Sequence, residues 1–284
     1  MRRLYQAACV AIALSACSNN QHTDGAQNSA APQEALPAGA TTARERLAAS
    51  PRHGEWVMVK TGANDSVRAW LVYPERRNNA PVVVVIHEIF GVSNWIRAVT
   101  DQLAADGFIA IAPDLLTKFN IANTDAGEPN PDSARVRIRE IQPQQYQPQI
   151  RAVAQYAMNL PAAAKKYGVT GFCWGGAAVF EHAVFYPDVN AVVSYYGTTP
   201  SGDAYAKVKA PVLGMYGEND QRVNATIARA DSAAKTHRFT YEPRIFPGAG
   251  HGFLRQQDGA NGANLEATKQ AWPLTVAWFR KQLR

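Results

Sequence analysis

Gly171-Phe172-Cys173-Trp174-Gly175-Gly176 is the stretch on which the reading of this chain turns. It closes a short apolar run, residues 168–172, and opens an apolar segment of helical character. A nucleophilic side chain flanked by glycines between a strand and a helix is the pattern of a nucleophile elbow, here with cysteine in the serine position. The turn is tight enough to strain the nucleophile's backbone, so the residues two places away on either side must lack bulk. Such a turn lifts the sulfur above the strand ends at the start of a helix. There the helix dipole favours thiolate over thiol, against a free cysteine pKa of about 8.5. The expectation is a nucleophilic Cys173; the plainer alternative is a buried cysteine in a glycine-rich turn.

The segments around the elbow alternate between strands and helices. Residues 55–60 and 67–73 alternate apolar with polar, which predicts two half-buried strands joined through Gly62, Asn64 and Asp65. Residues 82–86 form a β-branched run, the mark of a strand buried on both faces. A helix capped by Asn94 and ended by Gly107 follows, then a strand over 108–112. Residues 117–148, rich in proline and polar residues, predict a long excursion with one short helix, of the kind that covers an active site. A helix over 148–159, strands at 168–172, 191–195, 212–216 and 241–246, and a last helix over 265–283 complete the pattern. The sum is an α/β domain with a mostly parallel central sheet and helices on both faces.

A nucleophile on such an elbow takes its partners in chain order, acid then histidine. The strand at 212–216 runs into Gly217-Glu218-Asn219-Asp220, which puts Asp220 just past a strand end, with Glu218 as the alternative acid. Gly248-Ala249-Gly250-His251-Gly252-Phe253 follows the last predicted strand and presents His251 on a loop of small residues. An imidazole there takes the proton from Cys173, and the carboxylate fixes its tautomer and steadies its positive charge. His53, His182 and His237 lie away from predicted strand ends and are expected at the surface.

His87-Glu88-Ile89-Phe90-Gly91-Val92, the Cys173 elbow, Asp220 and the Gly-His-Gly-Phe loop together resemble the dienelactone hydrolase (carboxymethylenebutenolidase) family, over residues 52–284. The resemblance implies an α/β-hydrolase fold and a Glu88 that touches the resting cysteine and helps activate it when substrate binds. The alternative is a glutamate that only caps the following turn. With the elbow chemistry, the resemblance also implies that the backbone N–H groups of Trp174 and Ile89 form the oxyanion hole. It further implies a substrate carboxylate held by arginines. Arg255, four residues after His251, matches one position, and Arg135 is the first choice for the other, ahead of Arg137 and Arg139. Gly252 departs from family members that place serine after the histidine. The implied activity is hydrolysis of a small ester or lactone through a thioester, with a carboxylated enol-lactone as its specific form. A general esterase or thioesterase, or a non-catalytic envelope binding module, are the alternatives.

The chain carries 29 Lys and Arg against 23 Asp and Glu, a net charge of +6, scattered with no long basic run. Nucleic acid is therefore not an expected partner. No metal-ligand spacing or nucleotide fingerprint occurs, so neither metal nor cofactor is expected. At the N-terminus, Arg2 and Arg3 precede an apolar stretch too short to span a bilayer, which ends in Leu14-Ser15-Ala16-Cys17. That ending resembles a bacterial lipoprotein signal with Cys17 as the lipidated residue; an ordinary secretory signal is the alternative. Ser18 after it implies, by the same resemblance, the periplasmic side of the outer membrane of a Gram-negative bacterium. The expected organisation is a signal peptide over 1–17, a flexible tether over 18–50 and a catalytic domain over 51–284, a monomer that meets the membrane only through its lipid. Cys9 falls in the signal and Cys17 takes the lipid. Cys173 is then alone in the mature domain, and no disulfide forms within one chain.

Overall fold

The computed structural model describes residues 36–75 and 78–284. Eight strands among them form one sheet: β1 (Gly54–Lys60), β2 (Ser66–Val72), β3 (Ala80–Ile86), β4 (Ile109–Pro113), β5 (Ala163–Phe172), β6 (Ala191–Tyr195), β7 (Val212–Gly217) and β8 (Tyr241–Phe246). Their order is β1-β2-β4-β3-β5-β6-β7-β8. β2 pairs antiparallel with β1 and β4, and the other pairings are parallel. The helices are α1 (Ala43–Ala48), α2 (Asn94–Ala105), α3 (Pro131–Arg137), α4 (Pro143–Met158), α5 (Trp174–Phe185), α6 (Gln221–Asn224), α7 (Ile227–His237) and α8 (Ala263–Gln282).

The continuous valine run of β3 explains the layering. Successive side chains of a strand point to opposite faces, so a central parallel strand must be apolar on both. Val82, Val84 and Ile86 join one core with Ile150, Val153 and Ala157 of α4 and Val179 of α5. Val83 and Val85 join a second core with Trp95, Ile96 and Val99 of α2 and Trp272, Val276 and Phe279 of α8. The parallel crossovers bring the ends of β3, β5, β7 and β8 to one edge of the sheet, and the loops that leave those ends carry the residues discussed below.

Four expectations change, the fourth being the place of His182. Residues 36–50, expected in the tether, are packed on the domain: Ala38 and Ala43 are buried, and α1 lies against α2. The segment is poor in large apolar residues, so its reading as a tether missed how small side chains and backbone groups can dock. α4 begins at Pro143 rather than Pro148, with the Gln145 side chain accepting from the Gln142 N–H. Both prolines can start a helix, but Pro148 lies inside this one. Ser93, not Asn94, caps α2, accepting from the Ile96 N–H at 3.4 Å.

His182 is fully buried rather than at the surface. It joins α5 to α4 and β5, with Nδ1 2.7 Å from Gln147 Oε1 and Nε2 3.1 Å from the Tyr167 hydroxyl. Burial pushes its pKa down to about 3, so it is neutral and structural. His53 and His237 are exposed.

Candidate active site

Cys173 sits between β5 and α5 with φ 56° and ψ −113°, a conformation that L-residues avoid, and its N–H donates to the Tyr195 carbonyl at 3.0 Å. The glycines around it answer to close backbone approach. A Cβ on Gly171 would stand 2.2 Å from the Gly175 carbonyl oxygen, and one on Gly175 would stand 2.5 Å from the oxygens of Ile86 and His87. A Cβ on Gly176 would meet the Tyr195 oxygen at 2.4 Å. The elbow is therefore wedged between the ends of β3 and β6.

Asp220 and His251 come together on neighbouring loops. His251 Nδ1 is 2.5 Å from Asp220 Oδ2. The ionised carboxylate can only accept, so Nδ1 carries the proton and Nε2 is left to act as a base. Asp220 is 7% exposed and also accepts from the Val223 N–H at the start of α6. Asn219 donates to the Ala249 carbonyl from its N–H and to the Gly248 carbonyl from its side chain, which ties the two loops together. Glu218, the alternative acid, is exposed and accepts from the Gly248 N–H, away from the imidazole.

The thiol's electrostatics run against the helix-dipole expectation. Burial, and then the charge of Glu88, push the Cys173 pKa up to about 11. The Trp174 N–H donates to the sulfur and pulls the other way, with less effect. Glu88 is 5% exposed, and burial raises its carboxyl to about 7, offset in part by Arg255. Arg255 Nε stands 3.3 Å from Glu88 Oε2 but is misaligned for a hydrogen bond.

The β3 loop is pinned by a residue whose part the sequence did not disclose. His87 is fully buried, and burial lowers its pKa, so its ring is neutral. Its Nε2 accepts from the Leu115 N–H at 3.2 Å, so Nδ1 is the donor to the Glu88 carbonyl at 2.6 Å. This bond fixes the peptide that presents the Ile89 N–H, and the same ring stacks on Trp174 at 6.0 Å. Tyr196 was also missed. It follows β6 with φ 39°, is fully buried, and packs edge-on to His251 at 5.1 Å. Its hydroxyl has no hydrogen-bond partner among the described residues. Burial and the charges of Glu88 and Cys173 hold its pKa well above 10, so it is a standing donor beside His251. Only its place right after a buried strand could have pointed to it.

Arg255 and Arg135 also meet. Their guanidinium carbons lie 4.9 and 5.1 Å from the centre of the Phe90 ring, and both line a cavity of about 310 Å³ with Ser93, Trp95 and Glu128. Arg135 is exposed and also pairs with Asp132 at 3.5 Å; Arg137 pairs with Glu140, and Arg139 is exposed. Gly252 takes φ 77°, which a serine would adopt only with strain. A depression of about 690 Å³ at the other end of the sheet, against Pro81, Phe108 and Leu283, contains none of these groups. Among the described residues, no three His, Cys, Asp or Glu side chains are grouped to hold a metal ion.

Comparison with known proteins agrees with this geometry. The sequence model of the dienelactone hydrolase family matches residues 67–283. A Salmonella typhimurium protein assigned as a carboxymethylenebutenolidase is 30% identical over 227 residues, covering 76% of this chain and 83% of its own. One from Methylorubrum extorquens with the same assignment is 31% identical over 236 residues, covering 78% and 80%. The crystal structure of a Klebsiella pneumoniae protein assigned as a dienelactone hydrolase superposes with a TM-score of 0.71 at 26% identity, over 81% of this chain and 99% of its own. An eight-stranded α/β-hydrolase sheet, its elbow and a family match over most of the chain lead to one conclusion: the chain belongs to the dienelactone hydrolase family and is a carboxylic ester hydrolase.

Proposed function

We propose that this hydrolase uses Cys173 as its nucleophile on a small ester or lactone bearing a carboxylate, through a thioester. The observation that carries this reading is the Asp220–His251 pair, held at 2.5 Å on loops tied to each other beside the Cys173 elbow.

A thiol pKa near 11 means that forming the thiolate at pH 7 costs about 5 kcal/mol, so a base must act as substrate arrives. Glu88, with its pKa near 7 and its charge acting on the thiol, is the candidate. Moving the proton from Cys173 Sγ to Glu88 also removes the negative charge that opposed ionisation. An anionic group on Arg255 favours the same transfer, because it cancels the positive charge that holds the Glu88 pKa down. Binding of the acid end thus prepares the nucleophile.

The sulfur then adds to the carbonyl carbon, and the oxyanion accepts from the Trp174 and Ile89 N–H groups. The tetrahedral species collapses, the C–O bond breaks, and the proton that Glu88 took from the thiol passes to the leaving oxygen, directly or through His251 Nε2. Water, deprotonated by His251 Nε2, attacks the thioester, releasing the acid and restoring the thiol. Arg255 and Arg135, across Phe90, hold the substrate's carboxylate.

We place the enzyme at the periplasmic side of the outer membrane, anchored by lipid on Cys17. The signal-like residues 1–17 support this placement, and they lie outside the described residues. The function is tested by steady-state turnover of p-nitrophenyl acetate, a neutral lactone and a carboxylated dienelactone, with Cys173→Ala alongside. Turnover that vanishes in the variant and favours the carboxylated lactone is the expected result. A folded wild type inert on all three would overturn the reading and favour a binding module.

A further inference from the structure

Upstream of the residues that match the family, the chain lays a strap across the arginine cavity. Pro37, Ala38 and Gly39 are buried although none has a large side chain. Backbone groups hold them: the Ala40 N–H donates to the Arg255 carbonyl at 2.8 Å, Gln257 Nε2 donates to the Pro37 carbonyl at 2.9 Å, and Trp95 Nε1 donates to the Ala38 carbonyl at 3.1 Å. Each partner belongs to the site or its support. Arg255 faces Glu88, Gln257 continues the loop of His251, and the Trp95 ring packs edge-on at 4.9 Å against Phe172, the residue before Cys173. Ala40 itself lines the cavity shared by Arg255, Arg135 and Phe90.

We infer that residues 36–42 form a specificity wall, in which Ala40 bounds the subsite for the substrate's acid end and its backbone sets where Arg255 stands. This rests on the proposed ester-hydrolase function. The cavity's chemistry defines what fits. Phe90, Trp95, Pro129 and Pro131 offer apolar surface. Of the charged groups that line it, Arg255 faces Glu88 at 3.3 Å, Arg135 lies 3.5 Å from Asp132, and Glu128 is occupied with the Asn94 N–H at 2.8 Å. A substrate carboxylate would therefore compete for the two guanidinium groups. A volume of about 310 Å³ admits a short carboxylate-bearing chain or ring and excludes a long acyl tail. The small side chain at position 40 keeps that space open. The strap is a positioning and specificity element and does not touch the reacting bond.

Charge at position 40 provides the test, in the full-length protein. For wild type, Ala40→Asp and Ala40→Lys, kcat/KM is measured on a carboxylated and a neutral ester of equal size, and the ratio of the two values is compared. Ala40→Asp lowers the ratio about tenfold or more, chiefly through KM, and Ala40→Lys raises it, since like charges at a binding surface repel strongly and opposite ones attract. A purely structural strap would change both substrates together and leave the ratio where it was. The opposed signs keep the test decisive if one variant fails to fold. A ratio insensitive to charge at position 40, with turnover still dependent on Cys173, overturns the wall alone. Turnover that survives Cys173→Ala overturns the cysteine-nucleophile reading on which the wall rests.

Discussion

At the scale of single residues, one proton and two buried acids decide the resting state. The Glu88 charge raises the Cys173 pKa, so its removal should lower it. Glu88→Gln is expected to speed iodoacetamide labelling of Cys173 about tenfold at pH 8, one unit of thiol pKa being a tenfold change in thiolate. Labelling that is already fast in wild type and unchanged in the variant would remove Glu88 from control of the thiol. The carboxyl itself predicts a stability profile. Its folded pKa, near 7, lies above the 4.5 of a free glutamate, so the folded state binds the proton more tightly than the unfolded one. Stability from this group is present below pH 4.5 and is lost as pH rises to 7, by about 3 kcal/mol in all. Urea midpoints across that range should show this fall in wild type relative to Glu88→Gln, and parallel curves would contradict it. The sequence pointed to Asp220 and His251 because each lies in a loop just after a strand, and the structure brings the two side chains within 2.5 Å. The sequence could not disclose the sign of the Cys173 pKa shift, which depends on burial and on a carboxylate 85 positions away in the chain.

At the scale of elements, the elbow depends on a neighbour outside its own motif. A Cβ on Gly197, just past β6, would stand 2.2 Å from the Gly176 carbonyl carbon and 2.3 Å from the Ala177 nitrogen, both backbone atoms of the first turn of α5. Backbone cannot step aside as a flexible side chain can, so Gly197→Ala should cost about 3 kcal/mol, the upper end of ordinary overpacking. A urea midpoint equivalent to less than 1 kcal/mol of loss would mean that the approach is looser than this. Turnover should fall too, as the Trp174 N–H moves with the helix. The strands were legible within a few residues because β-branched runs and alternation are local signals. β5 was the exception: it begins at Ala163, where Lys165 and Lys166 conceal a strand whose first half is partly exposed. Gly197 and the strap at 36–42 escaped the sequence for one reason. What fixes them is contact with distant backbone, and no periodicity encodes it.

At the scale of the whole molecule, the candidate site and the proposed anchor come from different parts of the chain. The candidate site residues gather where the parallel strands end, and the proposed anchor, Cys17, precedes the described residues. The packed domain is already established at Pro37, and the 20 residue steps from Cys17 to Pro37 could span at most about 70 Å if fully extended. A net charge of +6 offers a competing way to hold this protein at a membrane, by attraction to anionic headgroups. Salt separates the two, because at 1 M the screening length is about 3 Å, whereas a buried acyl chain is indifferent to ionic strength. Produced at full length in a Gram-negative host, the wild type should stay with the membrane pellet through a 1 M salt wash and incorporate labelled palmitate. Cys17→Ser should lose the label and move to the soluble fraction, with unchanged turnover per molecule, since the candidate site is built from residues beyond the signal. Recovery of the wild type in the salt wash would leave charge as the only tie to the membrane. An unlabelled, soluble wild type would reduce residues 1–17 to an ordinary secretory signal.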